Sequence, residues 1–108
     1  MLTSLIEQII EKMKAERKYL NWHEYRMLAL SLDGYLRVLD ATVQEFYEIY
    51  KILHEETQII YQLVKKHLEN HDYKNYKFLY QTHLTLFTVT NTLEKSMNRL
   101  ETEVECDD

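Results

Sequence analysis

Residues 32–53, LDGYLRVLDATVQEFYEIYKIL, decide the fold class. Leu32, Leu36, Leu39, Val43, Phe46, Tyr50 and Leu53 recur in alternating steps of four and three, the spacing of a heptad seam on one helix face. Val38, Ile49 and Ile52 add a second stripe. That widens the apolar face beyond a two-stranded coiled coil and asks for more than one packing neighbour. The one blemish is Asp33-Gly34, a dipeptide common in turns. Both its flanks are helical in pattern, so an uninterrupted helix is expected there.

Periodicity continues outward in both directions. Asn21, followed three residues later by Glu24, resembles a capping box and predicts a helix from Trp22 to about Leu53. Before it, Leu2, Leu5, Ile6, Ile9, Ile10 and Met13 predict a helix over about 3–19. After it, the polar cluster His54-Glu55-Glu56-Thr57 predicts a turn, with a short helix over about 57–69. A single rod from Trp22 to Glu69 is the alternative, because the seam phase passes unbroken through Leu53, Thr57, Ile60 and Val64. Asn70-His71-Asp72 marks the next break, since Asn and Asp bond their own backbone in turns. A last helix is expected over about 73–103, on a seam of Leu79, His83, Leu86, Thr90, Leu93, Met97, Leu100 and Val104. Its centre, Thr82 to Thr92, has strand propensity that the flanking heptads outweigh.

By length these elements assemble as an all-α, antiparallel four-helix bundle. It has two long helices (about 22–53 and 73–103) and two shorter ones (about 3–19 and 57–69). A single domain over 1–104 is followed by an acidic tip, 105–108, expected to fray. The expected core comprises Leu36, Leu39, Val43, Phe46, Leu86, Leu93, Met97 and Leu100.

Composition supports the same class. No proline and one glycine in 108 residues leave β-sandwiches, barrels and doubly wound folds without their turn residues. Hydrophobic content of 45% is enough for a core, so the chain is not disordered by composition. The net charge of −5 resides in Glu101, Glu103, Glu105, Asp107 and Asp108, because the other residues hold thirteen acids and thirteen bases. A neutral body with an acidic end lacks the basic footprint of a nucleic-acid binder. One cysteine, Cys106, allows no internal disulfide. The first residues lack the charge order of a secretory signal, and no stretch approaches a membrane span. A cytoplasmic location without membrane attachment is expected.

No catalytic constellation emerges. Cys106 sits among carboxylates that oppose thiolate formation, and a lone Gly34 cannot build a phosphate-cradling loop. No motif calls for a cofactor, and the chain does not read as an enzyme. His67 and His71, four apart, would share a helix face at metal-binding spacing and define a metal-binding bundle as one alternative. A second alternative is a nucleic-acid-associated regulator using the Lys65–Lys77 surface, where lysines alternate with aromatics. The leading reading is a non-catalytic cytoplasmic protein acting by protein–protein contact, as an adaptor or small inhibitor. Its Lys, Asn, Ile and Tyr usage suits an AT-rich bacterial or phage genome. Nine tyrosines are the compositional excess, and Tyr is enriched at interfaces. The candidate contact residues are Tyr25, Tyr47, Tyr73, Lys74, Tyr76 and Lys77. The partner is another protein, and a homodimer is favoured because the wide seam exceeds what one short helix covers.

Overall fold

Helical periodicity becomes four α-helices in the computed structural model, which describes the backbone of residues 2–106 and the side chains of residues 5–101. They are α1 (Leu2–Lys18), α2 (Trp22–Val38), α3 (Val43–Glu69) and α4 (Tyr73–Cys106). No strand occurs among the described residues. The acidic tip is helical to Cys106, and its side chains lie outside the described residues.

The long helix expected over 22–53 is two helices. The chain leaves the helical path at Leu39, whose ψ is 128°, and re-enters it at Val43. A capping box fixes the restart: the Glu45 backbone N–H donates to Thr42 Oγ1 at 3.1 Å, and the Thr42 N–H donates to Glu45 Oε1 at 3.1 Å. The heptad phase happens to run through this link, which hid it. The turn expected at 54–57 is absent, and the short helix over 57–69 is the second half of α3. The long pair is therefore α3 and α4, and the short pair α1 and α2. Asp33-Gly34 leaves α2 unbroken: Arg37 Nε donates to Asp33 Oδ2 at 2.9 Å one turn on, and Gly34 stays helical.

The polar cluster at 54–57 contains a core residue. Buried positions on α3 are Phe46, Ile49, Leu53, Glu56, Ile60 and Val64, a heptad line in which Glu56 occupies a full seam position. Its carboxylate is satisfied from two other helices. Arg17 of α1 donates through Nε at 2.9 Å and through a terminal nitrogen at 3.2 Å, and the Tyr25 hydroxyl of α2 donates at 3.1 Å. Burial first, and the adjacent Glu56 carboxylate second, push the Tyr25 phenol far above its ordinary range.

On α4 the buried line is Leu79, Thr82, Leu86, Val89, Leu93 and Ser96. It is displaced by one position at alternate steps from the expected Leu79, His83, Leu86, Thr90, Leu93, Met97. Threonine can enter this core because its hydroxyl is satisfied within the helix: Thr82 donates to the Phe78 carbonyl at 2.9 Å and Thr85 to the Gln81 carbonyl at 3.0 Å. Of the expected core, Leu36, Phe46, Leu86 and Leu93 are buried. Leu39 and Val43 flank the link, and they are half-buried with Met97 and Leu100.

Helices pack α1 on α2, α2 on α4 and α3 on α4. Arg26, early in α2, reaches Gln81 and Thr85, whereas Arg37, at its end, shares a cleft with Thr92, Lys95, Ser96 and Arg99. These two helices run in the same sense. On α3, Tyr61 pairs with His83, and Tyr50 lines a cleft with Glu94 and Met97, so α3 runs against α4. The Arg17 and Tyr25 side chains, on either side of the α1–α2 turn, both reach Glu56. Beyond it α3 continues for thirteen residues to Glu69, about 20 Å at 1.5 Å per residue, beside the start of α4. This two-helix tip lengthens the molecule to 56 Å, against 24 and 17 Å across. No helix among the described residues is long and apolar enough to cross a membrane.

Both the α1–α2 and α3–α4 connections close with a residue in the left-handed region, Leu20 and His71, each at φ 59°. The Asn21 N–H reaches the Glu16 carbonyl and the Leu20 N–H that of Arg17; Asp72 and His71 repeat the pair on His67 and Leu68. These are Schellman closures, which usually recruit glycine.

Candidate protein-contact face

Each long helix carries a second heptad line besides the one it buries. On α4, Tyr73, Tyr76, Tyr80, His83, Phe87, Thr90, Glu94, Met97 and Glu101 alternate steps of three and four along almost its whole length. On α3, Tyr47, Tyr50, His54, Thr57 and Tyr61 do the same, and Leu68 resumes the line one heptad further. Because α3 and α4 lie side by side, the two lines flank one outward groove. Its lower stretch is lined by Tyr47, Tyr50, Glu94, Met97 and Glu101, and the next by Tyr50, His54, Tyr61, His83 and Phe87.

Rings are organised along this groove. Tyr76 stacks on Tyr80 at 5.8 Å between centroids, Tyr61 meets His83 at 5.7 Å, and Tyr50 stacks on His54 at 6.0 Å. Lys65 Nζ lies 5.8 Å from the centre of the Tyr61 ring, within cation–π range. Phe87 is 55% exposed although its neighbours would suit a core. A ring this exposed, among other rings on a heptad line, leaves apolar surface facing water.

Charge divides the molecule. Residues 57–80 hold four lysines (Lys65, Lys66, Lys74, Lys77) against Glu69 and Asp72, while the rest of the chain holds nine bases against sixteen acids. The tip is thus the positive end of an acidic molecule. Its turn is fastened by Asp72. Asn75 donates to that carboxylate at 2.8 Å, and His67 Nδ1 lies 3.2 Å from it. The hydrogen bond from the Asn75 side chain is the main cause holding the Asp72 carboxyl below its ordinary value.

The candidate contact residues separate. Tyr73 and Tyr76 lie on the α4 line at the tip, with Lys74 and Lys77 beside them, and Tyr47 lies on the α3 line at the opposite end. Tyr25 does not belong to the face: it is buried, spent on Glu56. Tyr61, Tyr80, His83 and Phe87 complete the face, and the same three-four spacing that singled out the core would have found them. The metal pair does not form as spaced. α3 ends at Glu69, so His71 leaves the helix face that His67 occupies, and its Nδ1 sits 2.9 Å from the Tyr73 hydroxyl. No group of three or more His, Cys, Asp or Glu side chains suited to a metal occurs among the described residues.

Compared with protein-family models, curated proteins and solved structures, the chain matches none.

Proposed function

We propose that this is a non-catalytic cytoplasmic protein that acts by protein–protein contact, in the manner of an adaptor or small inhibitor. Its bundle of antiparallel hairpins serves as the scaffold for the outward α3–α4 face. One observation carries the reading: each long helix has a second heptad line beside the one its core consumes, and that line carries exposed rings, Tyr47 and Tyr61 on α3 and Tyr73, Tyr80 and Phe87 on α4. A helical pair of this kind is suited to receive a further helix along the groove, with apolar anchors at i, i+3, i+4 and i+7. Rigid rings at the centre and charges at both ends match the anatomy of specific interfaces, an aromatic centre with a polar rim.

In-cell photo-crosslinking tests this. A photoreactive phenylalanine at Tyr61 is expected to yield a discrete adduct that Phe87→Glu erases, and the same group at Tyr19, on the α1–α2 turn, is expected to yield none. Equal adducts from both positions, or an adduct indifferent to Phe87→Glu, would refute the assignment.

A further inference from the structure

We infer that the groove's occupant is a second copy of this chain, lying antiparallel on the same face about a twofold axis that crosses the groove near Thr57. This rests on the contact-face reading above and names its partner. Three observations converge on it.

Size comes first. The 27 residues of α3 run about 40 Å, and two helices side by side are about 20 Å wide. A face of that size is roughly 800 Å² per partner, what a standard specific interface buries on each side. Only overlap along nearly the whole of α3 reaches it, which centres the axis near that helix's midpoint.

Charge then selects the direction. The upper end of the groove carries Lys65, held over Tyr61, and the tip beyond it holds Lys66, Lys74 and Lys77 against Glu69 and Asp72. The lower end is lined by Glu94 and Glu101, with Lys51, exposed one residue past Tyr50, as the base beside them; Arg37, Lys95 and Arg99 line separate clefts on the α2 side. Parallel pairing would set lysines against lysines. Antiparallel pairing sets each lysine end against the acidic end of the other copy.

Register is the third. Tyr50 and Glu94 line the same stretch of groove, and Lys65 is fifteen residues further along α3. Bringing Lys65 level with the partner's Glu94 places the axis midway between positions 50 and 65 of α3, beside Thr57. That is the register already required by full overlap. A twofold arrangement repeats each pairing twice and closes the assembly at two chains.

Sedimentation equilibrium of the full chain over the micromolar range, at about 0.1 M salt, is the test. Wild type is expected to dimerise with a micromolar dissociation constant, and Phe87→Glu to remain at 13.2 kDa. Lys65→Glu and Glu94→Lys are each expected to weaken the dimer about tenfold, by replacing attraction with like-charge contact at two symmetric places. The double variant Lys65→Glu/Glu94→Lys is expected to recover to within about threefold of wild type. Lys65 and Glu94 lie about 22 Å apart within one chain, beyond the roughly 10 Å screening length, so recovery has to arise between chains. Circular dichroism confirms that each variant stays helical, which exposed positions should allow. A wild-type monomer across the range, or a double variant no tighter than the singles, overturns the pairing. If wild type is monomeric while Phe87→Glu still erases the Tyr61 adduct, the face serves a different protein and only self-association is lost.

Discussion

Arg17→Met tests the buried junction where three helices meet. Arg17 supplies two of the three hydrogen bonds that Glu56 receives, and the Glu56 side chain is only 3% exposed. Removing the guanidinium leaves a buried carboxylate with the Tyr25 hydroxyl alone. Breaking one side of a buried ion pair typically costs about 3–5 kcal/mol. The Arg17 side chain is 27% exposed, so water can enter where it lay, which argues for the low end, about 3 kcal/mol. For 108 residues the unfolding entropy is roughly 0.23 kcal/mol/K, so the melting temperature should drop by about 13 °C. The triple variant Arg17→Met/Tyr25→Phe/Glu56→Leu removes both charges together with the Tyr25 hydroxyl, which would otherwise stay buried without its acceptor, and leaves apolar side chains of similar size. It should recover most of the loss, because well-packed apolar replacements of buried pairs are near neutral. Urea titration followed by circular dichroism gives both free energies. A loss below about 1 kcal/mol for the single variant, or a triple variant as unstable as the single, would refute the junction as drawn.

Three further outcomes are expected. Thr42→Ala should lower stability by about 1 kcal/mol in urea titration, whereas Asn21→Ala should change it by under about 0.5, because the Asn21 side chain makes no cap bond. Gly34→Ala should raise the urea midpoint by the equivalent of about 0.5–1 kcal/mol, since a Cβ there meets nothing within 4 Å and α2 gains a better helix former. The raised Tyr25 phenol contributes stability that is complete below its ordinary value of 10.0 and declines as pH rises beyond it, because the unfolded chain ionises first. Tyr25→Phe should therefore lose about 1–2 kcal/mol at neutral pH and flatten the alkaline limb of stability against pH.

Apolar spacing made the helical class and the continuity through Gly34 legible, and the polar residues Asn21 and Asn70-His71-Asp72 marked the starts at Trp22 and Tyr73. Where spacing misled, a different kind of interaction had taken over. Leu39 and Val43 keep the seam's phase across a link that is not helical, and only the chemistry of Thr42 and Glu45, a hydroxyl and a carboxylate three apart, marks the restart. Glu56 resembled turn material because its partners stand on other helices, Arg17 being 39 positions away in the chain. Burial of a carboxylate cannot be read locally when the groups that satisfy it are distant. On α4 the expected seam mixed members of two lines. Leu79, Leu86 and Leu93 belong inside, but His83, Thr90 and Met97 belong to the outward face, while Thr82 and Ser96 go in. A helix with two packing directions cannot be phased by one stripe. Among the face residues, Tyr73 and Tyr76 are legible because they fall outside the expected seam, whereas Tyr80 and Phe87 read as a stripe that merely flanks the core and His83 as part of the seam itself.

The α3–α4 tip also sets where the molecule can open. From Lys65 to Phe78 no residue is fully buried, although two helices pass there, and the turn relies on Asp72, Asn75 and His67. Just below, Ile60 and Leu79 are completely enclosed. Backbone amides should therefore exchange with solvent in a gradient, fastest around Asn70 and progressively slower toward the level of Glu56, with opening at the tip independent of global unfolding. The lysine end can then loosen by a turn or two and adjust to the surface it meets. The ring-lined middle of the groove, backed by the whole core, keeps its shape.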